Sequence, residues 1–468
     1  MTKGALILGL IVTAAGTPLA AQAQTPTSVR ATPPLSTVRY TETWSYLADP
    51  TRQTGRWTDP LRSIPISDEG DIYLTTGLEA RARYETYENG QWGAQPDNDY
   101  TWSRLMPHAD LHLGKVGVFA QAIVTEVSGG ERPETPVDTT GADILQAFVD
   151  VELDVGRETT LELVAGRRLR SLGAGRLVDT RYGLNVPLAF DGAEATLTRG
   201  TRRITALGLR PVDNRLDDFD DRSSDQKSLW GLYGTQWLEA DRRTGVDLYW
   251  LGFRDRNAIY DQGAGRQVVH SFGVRYFGVN GPWRWNVEGV VQRGEFSGAR
   301  NVAWGVGGEV GRRFETVGLK PELALTVDFV SGDDDPDDPK LGTFNALFPR
   351  GRYFLAQSPV GPRNLIQIQP AVTLHPRADV DVTLMGAAYW RESTRDGIYS
   401  IPGFLVRSGR DSGERFIGSQ VDLSVTWHVT PELDLAVSTG AFEAGAFIRD
   451  TGPSQTILLG SASATFRY

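Results

Sequence analysis

Cysteine is absent from the 468-residue chain. That excludes a disulfide framework, thiolate catalysis and any Cys-ligated metal. No stretch beyond the N-terminus approaches about twenty uninterrupted apolar residues, so no transmembrane helix is encoded. Histidine is scarce: His108, His112, His270, His375 and His428 are all there is. On a strand His108 and His112 share a face four residues apart, too far to hold one ion without further ligands. No nucleophile elbow, phosphate loop or zinc motif occurs, so no catalytic residue, metal or cofactor is assigned. Lysine is nearly missing as well, five of 48 basic residues, which leaves 43 arginines. The net charge of −10 argues against nucleic acid as a partner.

What is present begins with a leader. One cation (Lys3), an apolar run from Ala5 to Ala15 and the small-residue site Ala21-Gln22-Ala23 read as a signal peptide over 1–23. The apolar core is too short to span a bilayer. An exported chain without disulfides must be held by a large core or by extensive hydrogen bonding, and a closed barrel provides the latter. Hydrophobic content of 40% with 52 glycines is too polar for a helical membrane protein but suits a barrel, where only alternate residues need be apolar.

The final segment carries that pattern openly. Leu458, Ala462, Ala464, Phe466 and Tyr468 share one face, while Ser461, Ser463, Thr465 and Arg467 share the other. Residues 24–69 read as a short periplasmic lead-in with Trp44, Tyr46 and Trp57, and the barrel is expected over 70–468. From Asp71 onward the period is two. Leu74, Thr76, Leu78, Ala80, Ala82 and Tyr84 face one way, and Thr75, Glu79, Arg81, Arg83 and Glu85 the other.

Strands are expected at 71–87, 100–113, 116–127, 143–154, 159–168, 189–199, 202–210, 228–240 and 244–254. The second half adds 267–278, 283–294, 301–314, 318–330, 364–375, 379–391, 416–429, 432–443 and 456–468. The fold class is therefore all-β: a transmembrane antiparallel barrel of about eighteen strands. Tight connections such as Gly114-Lys115 and Gly200-Thr201 alternate strictly with longer ones, including 88–99, 128–142, 169–188, 211–227, 331–363 and 392–415. Short periplasmic turns opposite long external loops are the barrel arrangement, and a soluble sandwich has no reason to alternate this way.

Three stretches resemble the alginate export family of outer-membrane barrels. The first is Leu61-Arg62-Ser63-Ile64-Pro65-Ile66 followed by the strand from Tyr73 to Glu85. The second is Gly166-Arg167-Arg168 with Gly173, Gly175-Arg176-Leu177-Val178, Asn185 and Phe190-Asp191-Gly192. The third, the most specific, runs Ser331-Gly332-Asp333-Asp334-Asp335-Pro336, then Leu341 to Gly351, then Gly361-Pro362-Arg363-Asn364. The resemblance implies an eighteen-stranded monomeric pore in outer-membrane lipid that passes an anionic polysaccharide or its fragments without energy input. Periplasmic export components are possible partners.

By parity the lumen wall is mixed and on balance acidic, whereas a polyuronate conduit should be cationic where it narrows. Arg81, Arg83, Arg104, Arg168, Arg176, Arg275 and Arg284 are the candidate substrate contacts, since guanidinium binds carboxylate bidentately. The alternative is that lumen arginines and acids hold each other across strands; a GC-rich coding bias would also raise arginine. Loops 169–188 and 331–363 are the expected gates, the latter through Asp333, Asp334, Asp335, Phe344, Phe348, Arg350 and Arg352. Its aspartates are ligands of the kind Ca²⁺ takes, but they lack EF-hand spacing, and a solvated acidic lip is the expectation. The competing functions are a general or small-anion porin and a barrel enzyme, for which no Ser/His/acid group can be assembled.

Overall fold

The computed structural model describes residues 35–67, 71–351 and 359–468. The leader expected at 1–23 and the candidate Arg352 lie outside the described residues. Eighteen strands form the wall. The first nine are β1 (Ile72–Glu88), β2 (Asn98–Leu113), β3 (Val116–Gly129), β4 (Ala142–Gly156), β5 (Thr159–Leu169), β6 (Ala189–Arg199), β7 (Arg202–Asp213), β8 (Lys227–Trp237) and β9 (Gly245–Tyr260). The others are β10 (Gly263–Asn280), β11 (Trp283–Phe296), β12 (Ala299–Arg313), β13 (Glu322–Val330), β14 (Leu365–Arg377), β15 (Val380–Trp390), β16 (Phe416–His428), β17 (Leu433–Ala444) and β18 (Ile457–Arg467).

Each strand pairs antiparallel with the next, and β18 returns to β1 through the register Glu79↔Arg467 to Glu88↔Leu458. No wall strand keeps an open edge, so backbone polar groups are satisfied without water. Alternation sorts the side chains. Leu105, Val118, Val149, Leu163, Leu248 and Val306 are exposed on the outer face. On β1 the inward Thr75, Glu79, Arg81, Arg83 and Glu85 are all buried. A soluble protein would invert this arrangement; in lipid the apolar face belongs outside.

The strictly alternating connections do not hold everywhere. β9 continues to Tyr260 and turns at Asp261-Gln262, and β11 continues to Phe296 and turns at Ser297-Gly298. These two external connections are two-residue hairpins rather than long loops. Ser297 (φ 49°) and Gly298 (φ 87°) both take positive φ, the backbone such a turn requires. The hairpins carry the β9–β12 wall beyond its neighbours, because their outer ends are polar and pair in water as well as in lipid.

Two glycines of the second family stretch have a steric explanation. Gly166 and Gly192 pair across β5 and β6 with φ of 134° and 157°. A Cβ on Gly166 would lie 2.3 Å from the Ala147 oxygen, and one on Gly192 would lie 2.1 Å from the Gly208 oxygen. Neighbouring backbones approach here more closely than any side chain allows.

Candidate functional site: a lumen filled from both ends

The loop between β5 and β6 turns inward and crosses the barrel. At one end Arg81 donates to the Leu184 oxygen (2.6 Å) and to Asn185 Oδ1 (3.3 Å), and Arg83 to the Gly183 oxygen (3.2 Å). Arg104 donates to the oxygens of Tyr182, Leu184 and Asn185 at 3.3, 2.9 and 3.1 Å, with its guanidinium 4.5 Å from the Tyr182 ring. Asn185 answers by donating to the Ser103 and Asp138 oxygens. At the other end Arg176 pairs with Asp328 on β13 and approaches Glu288 on β11 at 3.8 Å. β2 and β11 stand nine strands apart in a wall of eighteen, so this loop bridges opposite sides.

The β13–β14 connection enters beside it. Val178 of the first loop pairs with Phe348 of the second. Phe348 meets Phe190 and Phe253 edge-on at 5.3 and 5.4 Å. Asn345 exchanges two hydrogen bonds with Gln292 (2.7 and 2.8 Å) and donates to Gln267 (2.6 Å). Phe344, Leu347 and Phe348 are all buried inside the barrel.

The third family stretch proves to be a hydrogen-bond hub shared with the β15–β16 loop. Asn364 donates to the oxygens of Ser393, Asp396 and Gly397 at 2.9–3.0 Å. The Asp396 carboxylate accepts from the Asp333 amide (2.9 Å), Thr343 (2.5 Å) and Tyr399 (2.6 Å). Burial pushes that carboxyl up to about 6. Asp333 itself is buried and accepts from the Gly342 amide (2.6 Å) and from Gln262. Asp334 and Asp335 stay at the surface side, where Arg395 stands 3.8 Å from Asp335. Arg350 anchors by its backbone, donating to the Gly175 oxygen (3.0 Å). The carboxylates that do gather closely lie elsewhere: Asp143 at the start of β4 and Asp220 and Asp221 of the β7–β8 loop converge within 4.8 Å. Burial pushes Asp221 up to about 6, and it already accepts from Thr140 (2.9 Å) and the Arg215 amide (2.7 Å).

The lead-in fills the opposite mouth, which alternation in the sequence does not reveal. Tyr40 inserts between the inward rings of Phe119 (5.9 Å) and Phe148 (5.2 Å), and its hydroxyl donates to the Leu169 oxygen (2.8 Å). Arg168 stacks 4.6 Å over the Tyr40 ring and donates to its hydroxyl at 3.1 Å. Arg39 reaches the Tyr468 oxygen (2.6 Å), and Arg62 covers the Trp44 ring at 4.1 Å. The lead-in's aromatic density (Tyr40, Trp44, Tyr46) is the signal that marks it as a packing element rather than a tether.

All seven candidate arginines therefore have protein partners. Arg83 also pairs with Glu85, Arg104 with Glu79 (2.5 Å), and Arg168 faces Glu194 (3.7 Å). Arg275 holds Asp247 (2.6 Å) and Asn286 (2.8 Å), and Arg284 holds Glu309 and Glu322. The β18–β2 wall brings together Arg81, Arg83, Arg104 and Arg467 with Glu79 and Glu85 between them, Asp434 of β17 beside Arg467, Asp110 further down β2, and Arg39 and Glu42 added from the lead-in. Asp328, Glu288 and Asp247 lie across the lumen. Arginines thus cluster on the β18–β2 wall, while the facing wall pairs its acids with its own Arg275 and Arg284 and with Arg176 of the crossing loop.

A closed eighteen-strand antiparallel barrel with a lipid-facing apolar band and a constricted polar lumen defines the class: a porin-like channel of the outer membrane. The sequence profile of alginate export matches residues 72–458, and the chain belongs to that family. Among solved structures, OccK2 (OpdF) of Pseudomonas aeruginosa superposes with a TM-score of 0.57 at 12% identity, covering 84% of this chain and 97% of that one. OccK2 in complex with glucuronate gives 0.55 at 12%, over the same shares. OpdK of the same organism gives 0.56 at 12%, covering 84% and 98%. At such identity the likeness is one of fold. No curated protein sequence matches the chain.

Proposed function

We propose that this channel passes a short carboxylated saccharide by diffusion, along the cationic β18–β2 wall and past the crossing β5–β6 loop. The observation that carries the reading is the Arg81–Arg83–Arg104 group at the contact between wall and loop. All three guanidinium groups donate to neutral loop carbonyl oxygens; Arg83 and Arg104 also pair with Glu85 and Glu79, while Arg81 is held by the Leu184 and Asn185 oxygens, so the group sets three cations against two carboxylates. A carboxylate replacing those carbonyls would gain a charge-assisted bond. Family membership supports a saccharide, and the glucuronate bound to OccK2 supports a carboxylated one. Loop and lead-in narrow the lumen, which favours fragments over a polymer. One chain closes the barrel unaided, which supports a monomeric pore. The leader at 1–23 would direct its export.

The test is the single-channel reversal potential in planar bilayers under a KCl gradient, repeated with oligouronate. Anion selectivity with current block by oligouronate is expected. Cation selectivity without block would refute the reading and leave a general porin.

A further inference from the structure

The outer wall carries a second arginine group, and it differs from the lumen group in having no partners among the described residues. On β9–β12 the outward positions read as an apolar band capped by cations. β11 presents Trp283, Trp285, Val287, Gly289 and Val291, then Arg293; β12 presents Val310, Val306 and Trp304, and ends in Arg300. β10 presents Arg266 and β9 presents Arg254 towards the same outer end. From Trp283 to Arg293 is roughly 33 Å along the strand, or roughly 25 Å along the membrane normal at a tilt of about 40°. That is the height of the hydrocarbon-facing band, so the arginines stand at its upper boundary, on the long-loop side. Trp250 and Trp304 mark the same boundary just below them, as an aromatic girdle does.

Register groups the cations tightly. Arg254 lies level with Val268, Val268 with Glu295, and Glu295 with Arg300, while Arg293 sits one outward position lower, opposite His270. Three strand spacings, about 14 Å, separate β9 from β12. Glu295 is the one acid among these outward positions. Among the described residues none of the four guanidinium groups has a hydrogen-bond or ion-pair partner, and Arg254 Nε is buried without one. Where lumen arginines are each tied to carboxylates or carbonyls, these are left free at a lipid boundary.

We propose that Arg254, Arg266, Arg293 and Arg300 form a binding site for the phosphate groups of a phosphorylated glycolipid in the outer leaflet. Guanidinium forks match phosphate geometry. The site continues directly into the band of Phe272, Val291 and Leu248, so one lipid places its acyl chains on the band and its phosphates on the arginines. A soluble anion has no use for that apolar continuation. The inference is independent of what the lumen carries.

The experiment is native mass spectrometry of the full barrel in mild detergent, titrated with diphosphorylated lipid A, with its dephosphorylated form, and with inorganic phosphate as competitor. One lipid A per barrel is expected, binding at least about tenfold more tightly than the dephosphorylated form and resisting displacement by millimolar phosphate. The quadruple variant Arg254→Gln, Arg266→Gln, Arg293→Gln, Arg300→Gln should lose that difference, and the corresponding quadruple Lys variant should keep most of it. Equal retention of both lipids by the unmodified protein would overturn the proposal whether or not the variants fold. Displacement by phosphate would overturn it too, by showing a free-anion site, as would a Gln variant that folds and binds lipid A unchanged.

Discussion

Arg104 concentrates the logic of the lumen in one side chain. Its guanidinium serves Glu79 and three loop carbonyls at once, a geometry that a lysine point charge cannot reproduce. Arg104→Ala should destabilise the barrel by about 3–5 kcal/mol, since it leaves a buried carboxylate with Arg467 alone. It should also release the loop, seen as a lower unfolding midpoint together with larger and noisier single-channel current. Arg104→Lys should recover midpoint but not current noise. Asp396 supplies a pH dependence. Its carboxyl is raised by burial to about 6, so the folded loop hub holds a proton that the unfolded chain has lost. The hub's stability from this group is complete below about pH 4 and falls as pH rises through 6. Amide exchange across 332–343, corrected for intrinsic rate, should quicken between pH 4 and 6.5. Asp396→Asn should flatten that change. At this scale inward and outward facing were legible from parity alone, as Arg81 and Arg83 show, because a strand offers only two faces. Partners were not: the Leu184 oxygen lies 103 residues from Arg81.

Elements follow the same division. The strand ladder was readable because each strand must alternate to meet lipid and water, and boundaries from β2 to β6 fall within a few residues of the pattern. The hairpins at Asp261-Gln262 and Ser297-Gly298 were missed because polar residues above the membrane look like loop while still pairing as strand. The β5–β6 loop is the element on which conductance turns. Removing its pin with Arg176→Ala should raise single-channel conductance without altering the heat-dependent gel shift of the folded barrel. No change in conductance would place the narrowest point elsewhere. Gly166→Ala tests the wall beneath it: the added methyl meets the Ala147 oxygen, and a loss of roughly 1–3 kcal/mol is expected in urea unfolding.

For the whole molecule the decisive contact is β1 with β18, 388 residues apart at Glu79 and Arg467. Closure removes the sheet's edges, and the lumen is then occupied from one mouth by the lead-in and from the other by two loops. A chain lacking residues 35–62 should still close but conduct more, because Tyr40 no longer stands between Phe119 and Phe148. Unchanged conductance would show that the lead-in packs along the wall without narrowing the path.

The sequence by itself determined the class of this protein. A two-residue period, with apolar and polar faces kept over some eighteen segments, has one stable solution in a bilayer: a closed antiparallel barrel. It also determined the family, through ordered loop motifs that serve as hydrogen-bond hubs. Only the tertiary structure decided what fills the lumen and which arginines are tied. Period two says which face a side chain takes, whereas a partner is set by which distant loop is brought within about 3 Å of it. That distance is a property of the closed barrel, not of any segment.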